Sequence, residues 1–96
     1  MRSSAVEILL LTQDECALCE QARAVLSRLG RDYRLVVTSQ SLDSPMARDL
    51  AESAGMLFAP GVFVDGEPFS YGRLSERKLR RELDRRLATS GGAVNL

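Results

Sequence analysis

Val6-Glu7-Ile8-Leu9-Leu10-Leu11-Thr12-Gln13-Asp14-Glu15-Cys16-Ala17-Leu18-Cys19-Glu20 holds the decisive reading of this chain. Val6–Leu11 is apolar with almost no alternation, the pattern of a strand buried on both faces inside a parallel sheet. Thr12–Glu15 is polar and reads as a loop. From Cys16 onward, Leu18, Ala22, Val25, Leu26 and Leu29 recur at helical spacing, and Gly30 reads as the stop. A strand, a loop and a helix that opens on cysteine place a sulfur where unpaired backbone N–H groups and the positive end of the helix dipole converge. Both favour the thiolate, the reactive form of cysteine. Cys19 is one turn further on the same face, close enough to close a disulfide with Cys16.

Bulk composition narrows the chemistry. Ninety-six residues suit one domain, and 45% hydrophobic with 27% charged residues is the balance of a globular protein. The single domain is expected to span 1–96, with a core of 5–88 and a flexible tail at 89–96. Thirteen basic and thirteen acidic side chains give no net field for nucleic acid or membrane. The balance hides an asymmetry: residues 1–72 sum to −4 and residues 73–96 to +4. The absence of histidine removes imidazole as base or ligand, and two cysteines cannot complete a tetrahedral zinc site within one chain. Ile8–Leu11 is too short for a signal core or a membrane span, so a cytoplasmic protein is expected; separately, it is expected to be a monomer. In that compartment a CxxC pair is more often catalytic or metal-binding than a structural staple.

Outward from the decisive stretch, Tyr33–Val37 reads as a second strand followed by a polar segment, Thr38–Asp43. Ser44-Pro45 marks a helix start, with Met46, Leu50, Ala51 and Ala54 as its apolar face and Gly55 as its end. Val62-Phe63-Val64 and Pro68-Phe69-Ser70-Tyr71 flank Asp65-Gly66, a hairpin signal. Ser75 caps a last helix with Leu79, Leu83 and Leu87 as its buried stripe. The order is β-α-β-α-β-β-α, an α/β domain in which the first βαβ unit is parallel and right-handed.

Three places could carry chemistry. Cys16 is the candidate nucleophile and Cys19 the resolving thiol. Asp14, Glu15 and Glu20 flank the pair, and these like charges limit how far the Cys16 thiol falls below the free value of about 8.5. Pro60, in Phe58-Ala59-Pro60-Gly61, belongs at a strand start, where trans is the ordinary isomer. Gly72-Arg73 precedes the last helix, whose N-terminus could receive an anion. The basic run of Arg77, Lys78, Arg80, Arg81, Arg85 and Arg86 reads as a solvated helix face rather than a nucleic-acid site.

These pieces together resemble the thioredoxin fold in its short glutaredoxin form. The matching features are the apolar strand into Cys16-Ala17-Leu18-Cys19, the mid-chain helix, Ala59-Pro60-Gly61-Val62-Phe63-Val64-Asp65-Gly66, Gly72 and the terminal helix. Cys16–Leu26 in particular resembles small bacterial glutaredoxin-like proteins with a C-x-L-C-E motif. The resemblance implies a four-stranded mixed sheet of order 2-1-3-4 with helices on both faces. It implies that Pro60 is cis and faces Cys16. It further implies that the Ala59 backbone pairs with an extended peptide or glutathione, and that Gly72-Arg73 receives the γ-glutamyl carboxylate of glutathione as a possible co-substrate. Leu18 and Phe58 are candidates for an apolar rim that meets protein targets. Four departures stand out: Ala17-Leu18 replaces Pro-Tyr, no lysine precedes Cys16, Phe58-Ala59-Pro60 replaces Thr-Val-Pro, and Gly72-Arg73-Leu74-Ser75 replaces Gly-Gly-x-Asp, keeping one glycine and losing the acid. The expected activity is a dithiol–disulfide oxidoreductase acting on protein or glutathione mixed disulfides, with no bound cofactor. The alternatives are a non-enzymatic thioredoxin-fold binding module, or a metal site shared across a dimer.

Overall fold

The computed structural model describes residues 5–95, and their side chains through residue 87. The elements are β1 (Val6–Thr12), α1 (Ala17–Leu29), β2 (Leu35–Ser41), α2 (Pro45–Ser53), β3 (Gly61–Val64), β4 (Glu67–Tyr71) and α3 (Glu76–Asn95). One sheet runs in the order β2-β1-β3-β4. β1 and β2 are parallel, while β3 is antiparallel to both β1 and β4, with a bulge at Val62/Phe63. This is the order that the resemblance implies. Residues 89–95, read from composition as a tail, continue α3, and residue 96 lies outside the described residues.

β1 is central and buried on both sides, which is why its sequence does not alternate. Val6, Ile8 and Leu10 pack with Ala22, Val25 and Leu29 of α1 and with Leu79 and Leu83 of α3. On the opposite face, Leu11 and Phe63 meet Ala47 and Ala51 of α2. Helices therefore lie on both faces of the sheet. The small alanines set the rotation of α2 and let it seat closely. Met46 and Leu50, expected on its inner face, point outward and are 65% and 36% exposed.

β2 is longer than expected. Its ladder with β1 continues through Leu9↔Thr38 to Thr12↔Ser41, so the polar segment is strand, not loop. The backbone groups of β1 need partners along its whole length. β2 is the sheet edge, and Thr38, Ser39 and Ser41 are exposed while Gln40 is half-buried. The hairpin forms at Asp65-Gly66, both at positive φ (49° and 83°), as a two-residue turn of the I′ kind requires. Asp65 also docks on β1: its N–H donates to the Glu7 carbonyl (2.7 Å) and its Oδ1 accepts from the Glu7 N–H (2.9 Å). Among the described residues no helix is long and apolar enough to cross a membrane.

Candidate active site at the end of β1

The loop that leaves β1 turns at Glu15, whose φ is 50°. A left-handed glutamate costs backbone energy, and nothing in residue preference announces it. The turn presents Cys16 in extended conformation as the N-cap of α1 (φ −121°, ψ 102°). The Cys16 carbonyl accepts from the N–H groups of Cys19 (3.1 Å) and Glu20 (3.2 Å), and the Cys16 Sγ also accepts from the Cys19 N–H (3.0 Å). The leading sulfur thus receives a helix N–H directly. Cys16 and Cys19 form a disulfide with their Cα atoms 5.2 Å apart. Cys16 is partly exposed, whereas Cys19 is fully buried under the helix. Of the two sulfurs, only that of Cys16 is open to a partner from solvent.

The sheet brings the second stretch to the same end. In the antiparallel β1–β3 ladder Leu11 faces Gly61, so Pro60 enters β3 where Thr12 leaves β1. The Ala59–Pro60 peptide is cis and Pro60 is buried. Ala59 lies beyond the last ladder pair, Gly61↔Tyr71, with its side chain buried.

Gly72 joins this cluster through its N–H, which donates to the Pro60 carbonyl (2.8 Å). It adopts φ 80°, and a Cβ there would lie 2.9 Å from Phe58 Cε1. Phe58 in turn meets Tyr71 edge to face, with centroids 5.1 Å apart. Arg73 is exposed on the surface beside Leu74 and Ser75. Ser75 caps α3 by accepting from the Lys78 N–H (3.1 Å).

Gln21 was not foreseen as a site residue. Its Nε2 donates to the Leu74 carbonyl (2.9 Å) and its Oε1 accepts from the Leu74 N–H (3.0 Å). The amide imitates a strand partner and clamps the cysteine helix to the segment that leads into α3. Sequence carries no sign of this pairing, because the partners are 53 residues apart. Tyr71 and Leu57 were also missed. Leu57 is 77% exposed, Phe58 54%, and Leu18 is half-buried. Of the expected residues, Cys16, Cys19, Phe58, Ala59, Pro60 and Gly72 are brought to one end of the sheet, with Arg73 at the margin. Asp14, Glu15 and Glu20 are exposed, and Glu20 pairs with Arg23 (2.6 Å).

A pair of neighbouring cysteines at the start of the helix that follows a central strand, with a cis proline entering the adjacent strand at the same end of a sheet of order 2-1-3-4, is the arrangement of a thioredoxin-fold protein. Solved structures agree. A thioredoxin variant from Halobacterium salinarum NRC-1 superposes with a TM-score of 0.61 at 23% identity, over 83% of this chain and 73% of that one. A thioredoxin-like protein from Clostridium perfringens superposes with a TM-score of 0.65 at 17% identity, over 88% of this chain and 72% of that one. No protein-family model matches the chain, and no curated protein sequence is similar to it. The chain therefore has the thioredoxin fold with a vicinal cysteine pair.

Proposed function

We propose that this chain is a dithiol–disulfide oxidoreductase. The observation that carries the reading is the placement of Cys16: partly exposed, capping α1, and bridged to a buried Cys19. In the reduced protein the Cys16 thiolate attacks one sulfur of a substrate disulfide. The substrate S–S bond breaks, one substrate thiolate leaves and takes up a proton, and a mixed disulfide forms on Cys16. Cys19, deprotonated, then attacks Cys16 Sγ. The second substrate thiolate leaves, and the Cys16–Cys19 bridge closes. Two electrons have passed from the protein dithiol to the substrate, and an external dithiol or thiol reductant restores the starting state.

Pro60 and Ala59 are proposed to hold an extended substrate segment. The Ala59 backbone lies past the end of the β3–β4 ladder, which supports pairing of the strand-addition kind. Disulfides of proteins or of glutathione are the substrate types considered, and a soluble intracellular monomer is the proposed form.

Capture of an intermediate tests the reading. The Cys19→Ser variant, expressed in cells and recovered under acid quench, is expected to carry a mixed disulfide on Cys16 at a fraction many times that of Cys16→Ser. Recovery of Cys19→Ser with a free Cys16 thiol, and no adduct after exposure to any disulfide, contradicts it.

A further inference from the structure

We propose that β2 is the contact strand of a weak symmetric dimer, in which this sheet edge pairs antiparallel with the same edge of a second copy and joins the two sheets into one. The proposal is independent of the redox reading above, and the monomer proposed there is the dilute form of the pair.

The two edges of the sheet are built differently. An open edge offers unpaired N–H and C=O groups to any other strand, and proteins usually blunt it with proline, charge or a bulge. β4 is blunted in this way: it carries Pro68, the Glu67 carboxylate held by Arg86, and a bulge in its ladder with β3. β2 has none of these. Its seven residues include no charge and no proline, and its ladder with β1 is unbroken. Val36 and Val37, on opposite faces of the strand, are 51% and 45% exposed.

The backbone decides which groups are free. The Val6 N–H donates to the Arg34 carbonyl (2.9 Å), and the Leu42 N–H donates to the Thr12 carbonyl (2.7 Å). Residues along a strand alternate in direction, so the even-numbered positions of β2 bond to β1. Leu35, Val37, Ser39 and Ser41 therefore turn N–H and C=O outward. The Ser41 carbonyl also takes the Ser44 N–H (3.0 Å), which leaves it a second lone pair. This outward set is symmetric about Thr38. A two-fold axis through Thr38 pairs Leu35 with Ser41, and Val37 with Ser39, of the second copy, and each such pair exchanges both backbone bonds. The same register sets Val36 against Gln40, so both exposed valines are covered and no like charges meet.

Charge at the ends of the strand favours a second copy over an unrelated strand. Arg34 and Asp43 flank β2, exposed and without an ion pair among the described residues. Antiparallel pairing brings Arg34 of each chain to the Leu42-Asp43 end of the other, twice by symmetry. Within one chain the length of β2 keeps the two residues apart. The two-fold also reverses strand direction, so the two Cys16 sites lie at opposite ends of the joined sheet and both stay open.

The interface is one strand pair, smaller than a stable complex needs, so a dissociation constant on the order of 0.1 mM is expected. Sedimentation velocity of the full chain from about 0.01 to 1 mM, in dithiothreitol to exclude disulfide-linked dimers, measures it. Ser39→Pro removes an outward N–H without touching the β1 ladder, and Val37→Lys puts a charge on the covered surface. Each is expected to weaken the dimer about tenfold or more. Arg34→Asp is expected to weaken it about threefold at low salt, and adding Asp43→Arg to restore it. Melting curves show whether each variant is folded, and the charge exchange at exposed positions decides the matter if the strand variants are not. A chain that stays monomeric at about 1 mM overturns the proposal and leaves the edge to a strand of another protein. Folded Ser39→Pro and Val37→Lys proteins that dimerise as before, or a double charge exchange that restores nothing, overturn it as well. None of these outcomes bears on disulfide turnover, which has its own test above.

Discussion

Gly72 meets two demands that no other residue satisfies together. Its φ of 80° lies in the left-handed region, and its missing Cβ leaves room for the Phe58 ring. Gly72→Ala is expected to lower the unfolding free energy by about 1–3 kcal/mol, measured by urea denaturation. A loss below a few tenths would mean that the ring and backbone adjust freely. The cysteine pair was legible at this scale. The spacing of Cys16 and Cys19 after an apolar strand fixed their helical placement, because neighbours on one helix face follow from chain geometry alone. Glu15 was not legible: its left-handed turn is imposed by the connection between β1 and α1, not by its own preference. The cis state of Pro60 came from resemblance rather than from its immediate sequence.

Between elements, the Gln21–Leu74 pairing joins α1 to the segment before α3, where direct packing of the two helices is supplied by the leucine and valine core. Gln21→Ala leaves a part-buried N–H and carbonyl without their partner. The expected cost is about 1–3 kcal/mol in urea denaturation. Element order, the hairpin and both serine caps were readable because they depend on local signals: Ser44-Pro45, Asp65-Gly66 and Ser75. The extent of β2 and the outward turn of Met46 and Leu50 on α2 were not, although Ala51 and Ala54 do face inward as expected. Polar Thr38–Ser41 becomes strand because β1 supplies a ladder, and α2 turns Ala47 inward because Leu11 and Phe63 leave space only for small side chains.

At the scale of the whole molecule, the charge asymmetry between residues 1–72 and 73–96 has a structural use. Arg80 bonds Asp32 (3.1 Å) and lies over the Tyr33 ring, whose hydroxyl donates to Asp84. Arg86 reaches Glu67 (2.5 Å) and Asp65 (3.5 Å), and Arg28 pairs back to Glu76 (2.8 Å). Arg80 and Arg86 of the basic run thus tie α3 to acidic residues elsewhere in the fold. Glu82 sits within this network. Hydrogen bonds from Arg85, and then from Arg86, hold its carboxyl below the ordinary 4.5 despite some burial. A depressed folded-state value stabilises the protein above the unfolded value, and that contribution is lost as pH falls through the folded one. Thermal melts of the native chain and Glu82→Gln are therefore expected to differ most above the ordinary value of 4.5 and to converge as pH falls below it. A gap that stays constant with pH would assign the effect to packing instead.

Stepwise reduction of the Cys16–Cys19 bridge in dithiothreitol buffers, with thiols counted and located by alkylation and mass spectrometry, bears most directly on the central claim. Two thiols per chain are expected to appear and disappear reversibly with the fold intact, and Cys16 to be alkylated well before Cys19. A bridge that resists reduction until the protein unfolds, or equal labelling of the two sulfurs in the folded state, would contradict it.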